Sequence, residues 1–471
     1  MLVFQPVRLL KCMPGLLGPI ILSMLLSGIA GCKTPPQRHM EDAGAKIPSH
    51  WSSNREAAAL SVPERWVETF GDPDLNALVR SALAENYDLK AAAARVDAAV
   101  AQARIDGSGL WPQISFNADH QQVQVRDAGF GSARFGVFEA LFSLSWELDV
   151  WGRIRAVRQA ALLEAGAVAS DLNGARLSLA ARVAQSYFDL AEARLQSEVA
   201  EQSVKDRRTI VQLVRGRFAR GITNALDLRL ALTDLATAEA QLTQARNQIQ
   251  LVSRRLEVLL GRYPGGQQAG PLALPEPPPD LPAGLPSELL ARRPDLIAAF
   301  DRLLAADSRV ESARKLLLPR IVLTAAGGTR STALTDLVDP RALAWNVVIG
   351  MMQPLFTGGR IRGEINLNEA RAEEAFNLYK NTALNAFREV EQVLAADEWL
   401  REQEKALRQA VEQTEASRRL AIYSYQLGII EILTLLDSYR STLNAQSAHI
   451  SVKRQLLTNR INLYLALGGG V

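Results

Sequence analysis

Cysteine is almost absent from this 471-residue chain: Cys12 and Cys32 are the two it has. A disulfide framework and a cysteine-rich metal module are both excluded. Histidine is as scarce. His39, His50, His120 and His449 are scattered, and none stands at metal-ligand spacing from another histidine, a cysteine or an acidic cluster. No Gly-x-Ser-x-Gly elbow, phosphate-binding loop or dinucleotide fingerprint occurs. Enzyme chemistry finds no support, and no metal or diffusible cofactor is expected. Charge of one sign is also lacking, since 53 basic residues face 50 acidic ones. A balanced chain offers no electrostatic case for nucleic-acid binding. After Ile29 no run approaches the roughly 18 apolar residues of a spanning helix. If this chain crosses a membrane, it does so with strands.

The one long apolar run, from Leu16 to Ile29, follows Arg8 and Lys11 and ends in Ile29-Ala30-Gly31-Cys32. That is the layout of a secretory signal. Its last residues resemble a bacterial lipobox, in which a peptidase cuts before a lipid-bearing cysteine. Residues 1–31 are thus expected to be a lipoprotein signal peptide, with a covalent lipid on Cys32. Cys12 leaves with the signal, and the loss of Arg8 and Lys11 lowers the formal charge from +3 to +1. Lys33 is not the Asp that holds lipoproteins at the inner membrane in the sorting pattern this resembles, so an outer-membrane address is expected. Residues 32–65 hold Pro, Ser and small polar residues and read as an extended tether.

The body of the chain is a tandem duplication. At an offset of 207 residues, Asp88-Leu89 returns as Asp295-Leu296, Pro112 as Pro319, and Gly152-Arg153-Ile154-Arg155 as Gly359-Arg360-Ile361-Arg362. Gly221-Ile222 returns as Gly428-Ile429, and Leu260-Gly261 as Leu467-Gly468, without a gap. Such fixed register implies two superimposable units: residues 66–263 and 287–471. The Pro- and Gly-rich residues 264–286 form a crossing linker between them.

Each unit repeats one scheme. An Ala-rich helix from about Asp74 to Leu110 stops at Trp111-Pro112. Ile114, Phe116 and Ala118 then alternate with Gln113, Ser115, Asn117 and Asp119, the period of a strand. A polar loop is expected from about His120 to Gly136. Beyond it, Phe138, Ala140, Phe142, Leu144, Trp146, Leu148 and Val150 share one face, opposite Glu139, Ser143, Ser145, Glu147 and Asp149. A proline-free stretch from Arg153 to Phe218 permits one helix on the order of 100 Å long. A return helix runs from about Ala225 to Leu260. The second unit offers a helix from Pro294 to Leu318, a strand from Pro319, a loop near Gly327 to Ala342 and a strand from Trp345 to Thr357. Helices from Arg360 to Leu427 and from Ile432 to Leu467 complete it. Rods of this length must pack along one another as coiled coil.

The fold class is therefore mostly α with a membrane β-barrel portion. Four strands cannot close a barrel, which needs about eight or more, and open edges in lipid leave backbone groups unpaired. Three copies supply twelve strands and close both the sheet and a ring of helices. A homotrimer is expected; edges alone leave a dimer or tetramer open.

Phe70-Gly71-Asp72-Pro73, the segment Leu281 to Ser287, Arg293-Pro294-Asp295, Gln353-Pro354-Leu355-Phe356 and Asn462-Leu463-Tyr464 with Ala466-Leu467-Gly468-Gly469-Gly470 resemble the TolC-type outer-membrane factors. Within them, the chain is similar to the lipid-anchored OprM/NodT branch over nearly all its mature length. The resemblance implies a trimeric channel-tunnel, a twelve-stranded barrel continued by a helical barrel through the periplasm. It also implies two partners: a periplasmic adaptor, or membrane fusion protein, and an inner-membrane pump of the RND type. By the same resemblance, the turns at Gly221-Ile222 and Gly428-Ile429 are the tips where adaptor hairpins dock, and Leu433 and Asp437 narrow the pore. Three copies of Asp437 would form an acidic ring that favours cations. Where some members carry a second acid and a gate arginine, this chain has Thr434 and Ile430. The polar tie left for the gate is Tyr425 with Asp227.

The function expected is a passive outer-membrane conduit for efflux of drugs, toxic organics or metal ions. Two alternatives stay open: an envelope-spanning structural lipoprotein, and the channel of a one-step protein secretion system. Four amphipathic strands argue against a mere tether, and the lipid anchor leans toward small-molecule efflux.

Overall fold

The computed structural model describes residues 38–40, 50–52, 63, 65–127, 131–279, 284 and 286–470. Two compact units are found. One comprises Val100–Glu164 and Arg302–Ala375 with Arg38, and the other His39–Ala99, Ala165–Asp301 and Phe376–Val471.

The first unit carries the sheet. Strands β1 (Gln113–Asp127), β2 (Gly131–Leu148), β3 (Arg320–Ser331) and β4 (Leu343–Met352) lie in that order, every neighbour antiparallel. The register sorts side chains by chemistry. Phe116 faces Phe142, Phe142 faces Gly327, and Gly327 faces Trp345; one step along, Leu144 faces Ala325 and Ala325 faces Val347. The same face continues through Trp146, Leu323 and Ile349 to Leu148, Ile321 and Met351. Phe116, Phe142, Trp345, Val347, Ile349 and Met351 of this face are exposed, while Leu144, Trp146, Leu148, Ile321 and Leu323 are half-buried. Because side chains alternate with period two, the other face collects Ser115, Asn117, Ser143, Ser145, Thr324 and Asn346.

Two expected loops are partly strand. Residues 120–127 pair with residues 131–138, and Gly327–Ser331 pair with β2. There the apolar positions change parity, with Val123 opposite Phe135 after the even-numbered Ile114, Phe116 and Ala118, and Gly327-Gly328 interrupts β3, so neither segment continues the pattern of the lower strands. The last strand also ends at Met352, short of the expected Thr357. At the foot of β2, the carboxylate of Asp149 accepts from the backbone N–H groups of Ile154 and Arg155, both at 2.9 Å, and starts the following helix.

The helices are α1 (Pro73–Glu85), α2 (Tyr87–Gly107), α3 (Arg153–Ala219), α4 (Ala225–Leu259), α5 (Pro286–Arg292), α6 (Pro294–Lys315), α7 (Arg360–Gln426) and α8 (Ile432–Ala466). Duplication shows in the lengths: α3 and α7 have 67 residues each, α4 and α8 have 35 each. The helix expected from Asp74 to Leu110 breaks at Asn86. Its side chain caps α2 by accepting from Leu89 N at 3.0 Å and donates to Leu259 O at 2.9 Å. Asp72 caps α1, accepting from Asp74 N at 2.9 Å and Leu75 N at 3.1 Å, with Pro73 in the first helical position.

Within the second unit, Trp66 is fully buried and stacks on Tyr464 with ring centroids 5.2 Å apart; Phe70 and Phe188 extend the cluster. Glu257, at the end of α4, gathers the linker that follows. Its carboxylate accepts from Gly266 N and Gln267 N at 2.7 Å and from Gln268 N at 3.0 Å.

Candidate functional site: the paired helix turns

The two long hairpins of the second unit end in matching turns. Ile222 N donates to Arg217 O at 3.0 Å, and Ile429 N donates to Ser424 O at 2.9 Å. Each is the six-residue closure of a Schellman motif. That motif needs a left-handed residue, and Gly221 (φ +71°) and Gly428 (φ +76°) supply it. The hydrophobic residues behind them, Ile222 and Ile429, are 56% and 70% exposed and offer apolar surface at both turns.

Above the turns all four helices share one apolar core. Ile210 and Val214 of α3, Ala231 of α4, Tyr425 of α7 and Leu435 of α8 belong to it. Leu433 and Asp437 do not. Four residues apart on α8, they lie on one face, with Leu433 58% exposed and the Asp437 side chain 71% exposed. Arg440 stands one turn on, its Nη1 4.0 Å from Asp437 Oδ1. Such an exposed pair contributes about 0–1 kcal/mol and leaves the acid free to face solvent.

Within one chain Tyr425 and Asp227 share no direct hydrogen bond, although the two lie close enough for the Asp227 charge to act on the Tyr425 phenol. The Asp227 carboxylate accepts from Thr223 Oγ1, and Asp227 N donates to Asn224 Oδ1 at 2.9 Å as part of the α4 cap. Tyr425 is 3% exposed, and its hydroxyl has no hydrogen-bond partner among the described residues. Burial pushes that phenol above its ordinary pKa. What reaches Tyr425 instead is Arg217. Its Nη1 donates to Tyr425 O at 2.9 Å and to Gln426 O at 3.3 Å, and its guanidinium lies over the Tyr425 ring at 4.9 Å. In the sequence, Arg217 reads only as a base in the last turn of its own helix, because its acceptors belong to the other repeat.

Cys32, the expected lipid site, lies outside the described residues. Among the described residues no His, Cys, Asp and Glu are grouped to hold a metal ion, and no helix is long and apolar enough to cross a membrane.

A duplicated, mostly helical chain with four antiparallel strands, one sheet face greasy and exposed, and two long hairpins ending in paired turns is built as a protomer of an outer-membrane channel. Comparison with known proteins agrees. The sequence profile of the family described as Outer membrane efflux protein matches residues 78–262 and again residues 285–469. The chain is 32% identical to the pyoverdine export outer membrane protein OpmQ of Pseudomonas putida, covering 96% of both chains. It is 31% identical to the toluene efflux pump outer membrane protein TtgF of Pseudomonas putida, again over 96% of each. The solved structure of the outer-membrane channel OprN superposes with a TM-score of 0.85 at 27% identity, covering 93% of this chain and 99% of that one. This chain belongs to the outer membrane efflux protein family. It is the outer-membrane channel component of a tripartite efflux pump, and it is not an enzyme.

Proposed function

We propose that three copies of this chain assemble into one closed channel-tunnel. The observation that carries the reading is the pair of free sheet edges. β1 and β4 each have one neighbour, while the face they share is apolar and exposed. In hydrocarbon, unpaired edge groups cost several kcal/mol each, so β4 of one copy must pair with β1 of the next. Twelve strands then form the barrel, and the hairpins close into a ring of helices. Residues 1–31 leave as a signal peptide, Cys32 receives the lipid, and 32–65 tether it to the first repeat at 66–263. The linker 264–286 crosses to the second repeat at 287–471.

The turns at Gly221-Ile222 and Gly428-Ile429 receive a periplasmic adaptor, which links the channel to an inner-membrane pump of the RND type. Their exposed isoleucines support this role. Leu433 and Asp437 line the constriction, Leu433 as an apolar plug and Asp437 as an acidic ring. Cargo is chosen by the pump. Relatives of near-equal identity are named for pyoverdine and for toluene, which supports a permissive conduit for drugs or toxic organics.

Single-channel recording of the purified protein in a planar bilayer, with its mass measured alongside, tests the reading. Three protomers with a gated, salt-dependent current are expected. A monomer or dimer without current would return the function to an envelope tether. Asp437→Ala leaves a ring of Arg440 and is expected to shift ion preference toward anions. Unchanged cation preference would remove Asp437 from the constriction.

A further inference from the structure

The repeat offset holds for contacts as well as for letters. Gln113 faces Ser145 across β1 and β2, and 207 residues on, Arg320 faces Met352 across β3 and β4. In a ring of copies, a contact made inside the chain between the first repeat and the second then predicts one more. The second repeat of one copy meets the first repeat of the next, with each partner displaced by the offset in opposite directions.

Helices α3 and α8 supply such a contact. Gln185 Nε2 donates to Asn462 Oδ1 at 2.8 Å, and Gln196 Nε2 donates to Ser447 O at 2.9 Å. Between them Arg454 donates to Glu192 at 2.9 Å and stands 3.6 Å from Asp189. Displaced by the offset, the α3 face becomes a face of α7. Gln185 and Gln196 recur as Gln392 and Gln403, whereas Asp189 and Glu192 become Ala396 and Trp399. On the other side, Arg454 of α8 becomes Asn247 of α4, and Ser447 becomes Ala240. All three charges are lost together, and the register is kept. Within one chain Trp399 is 67% exposed, and so is Leu251, one turn from Asn247 on α4, at 52%.

We infer that Trp399 is the anchor by which one copy of this chain holds the next, its indole lying on α4 of the neighbouring copy against Asn247 and Leu251. The inference rests on the three-copy reading above. The contact is heterologous, α7 of each copy on α4 of the next, so it closes a ring and does not pair two copies face to face. Its chemistry suits a contact made after folding. Burying a charge before its partner arrives is costly, while an indole carries a large apolar area and dominates the interfaces it enters. The ion pair of Arg454 stays inside the chain, where both partners are always present.

The test is cross-linking of the full-length protein in outer-membrane fractions, with the mass of the purified particle measured alongside. Gln403→Cys with Ala240→Cys leaves Trp399 in place and, bridged by a short bismaleimide, is expected to give two and three joined copies on a denaturing gel. Gln403→Cys with Leu226→Cys moves the second thiol to the start of α4 and is expected to stay at background. The chain's own cysteines are Cys12 and Cys32, so the wild-type protein reads that background. Trp399→Cys alone should be shielded from a bulky maleimide in the assembled particle and react once it is denatured. Trp399→Ala is expected to raise dissociation of the particle about thirtyfold for each interface, the change equivalent to about 2 kcal/mol, and Trp399→Phe to recover part of it. Wild-type dissociation of Trp399→Ala overturns the anchor. A particle of three copies without the Gln403–Ala240 link, or with Trp399→Cys labelled while assembled, overturns the interface and keeps the trimer. The link in a particle of another size keeps the interface and removes the trimer; a monomer without it removes both.

Discussion

Two adjacent residues of β2 are expected to answer the same substitution in opposite ways. Phe142 sits near the middle of the apolar band that runs from Phe138 to Leu148, opposite Phe116 with ring centroids 5.1 Å apart, and it is 62% exposed. Along a strand that band is roughly 35 Å long, and at a tilt of about 40° it stands about 25 Å tall, the height of a lipid-facing girdle. Arginine at the midplane of such a face costs about 2–4 kcal/mol, and a trimer repeats that cost three times, for about 6–12 kcal/mol. Ser143 points the other way. Its Oγ accepts from Asn117 Nδ2 at 3.0 Å, an exposed bond whose loss costs at most about 1 kcal/mol. Phe142→Arg should therefore deplete the heat-modifiable trimer in outer-membrane fractions and shift its folding into vesicles to lower urea. Ser143→Arg should assemble normally. Equal damage from both, or greater damage from Ser143→Arg, would refute the assignment of the sheet faces.

Glu257→Gln keeps the shape but removes the charge that three backbone N–H groups share; a loss of about 1–3 kcal/mol is expected, read as a lower Tm. Burial pushes the Glu257 carboxyl up, but those donors and Arg254 outweigh it and hold its pKa below the ordinary value. Its contribution is therefore present above the unfolded glutamate pKa of about 4.3 and is lost as pH falls through the lower folded value, so Glu257→Gln should flatten the acid side of the stability curve. Arg293→Leu strips Ala466 O of a donor at 3.2 Å and leaves Asp295 and Glu389 without their shared cation. Because both acids are partly exposed, about 2 kcal/mol is expected, measured by thermal melting. Cys32→Ser should abolish palmitate incorporation in labelled cells while the protein stays in the outer-membrane fraction, held by its strands.

The duplication, the long helices and the two turns were legible in the sequence because each depends on contacts within a few residues: a 3.6-residue pattern, a period of two, a glycine at a reversal. Strand extensions at 120–127, 131–136 and 327–331 were not, since the apolar positions change parity after Ala118 and Gly327-Gly328 interrupts β3, so the period-two pattern does not run on. The break at Asn86 was hidden for another reason. Its amide bonds to Leu259 O, which lies 173 residues away, and an asparagine inside an Ala-rich run carries no mark of that. At the site, Leu433 and Asp437 are exposed, and Tyr425 and Asp227 make no direct hydrogen bond within the chain. Thr223, a neighbour in sequence, donates to the Asp227 carboxylate, and Asn224 accepts from the Asp227 backbone N–H.

The repeat offset sharpens what the tip is for. Turn glycines coincide, Gly221 with Gly428, and so do the exposed leucines, Leu226 with Leu433. The remaining functional positions do not. Asp437 stands where the first repeat has Leu230, and Leu230 packs against the shared core while Asp437 is exposed. A fold requirement would favour the same residue type in both copies, as it does for the glycines. An acid that replaces a half-buried leucine at the same helical position relinquishes part of the roughly 1.5–3 kcal/mol that full burial is worth. The two hairpins have therefore divided their tasks: the first packs Leu230 against the shared core, and the second presents an exposed acid. In a ring of three, that face is the one free to meet whatever passes through.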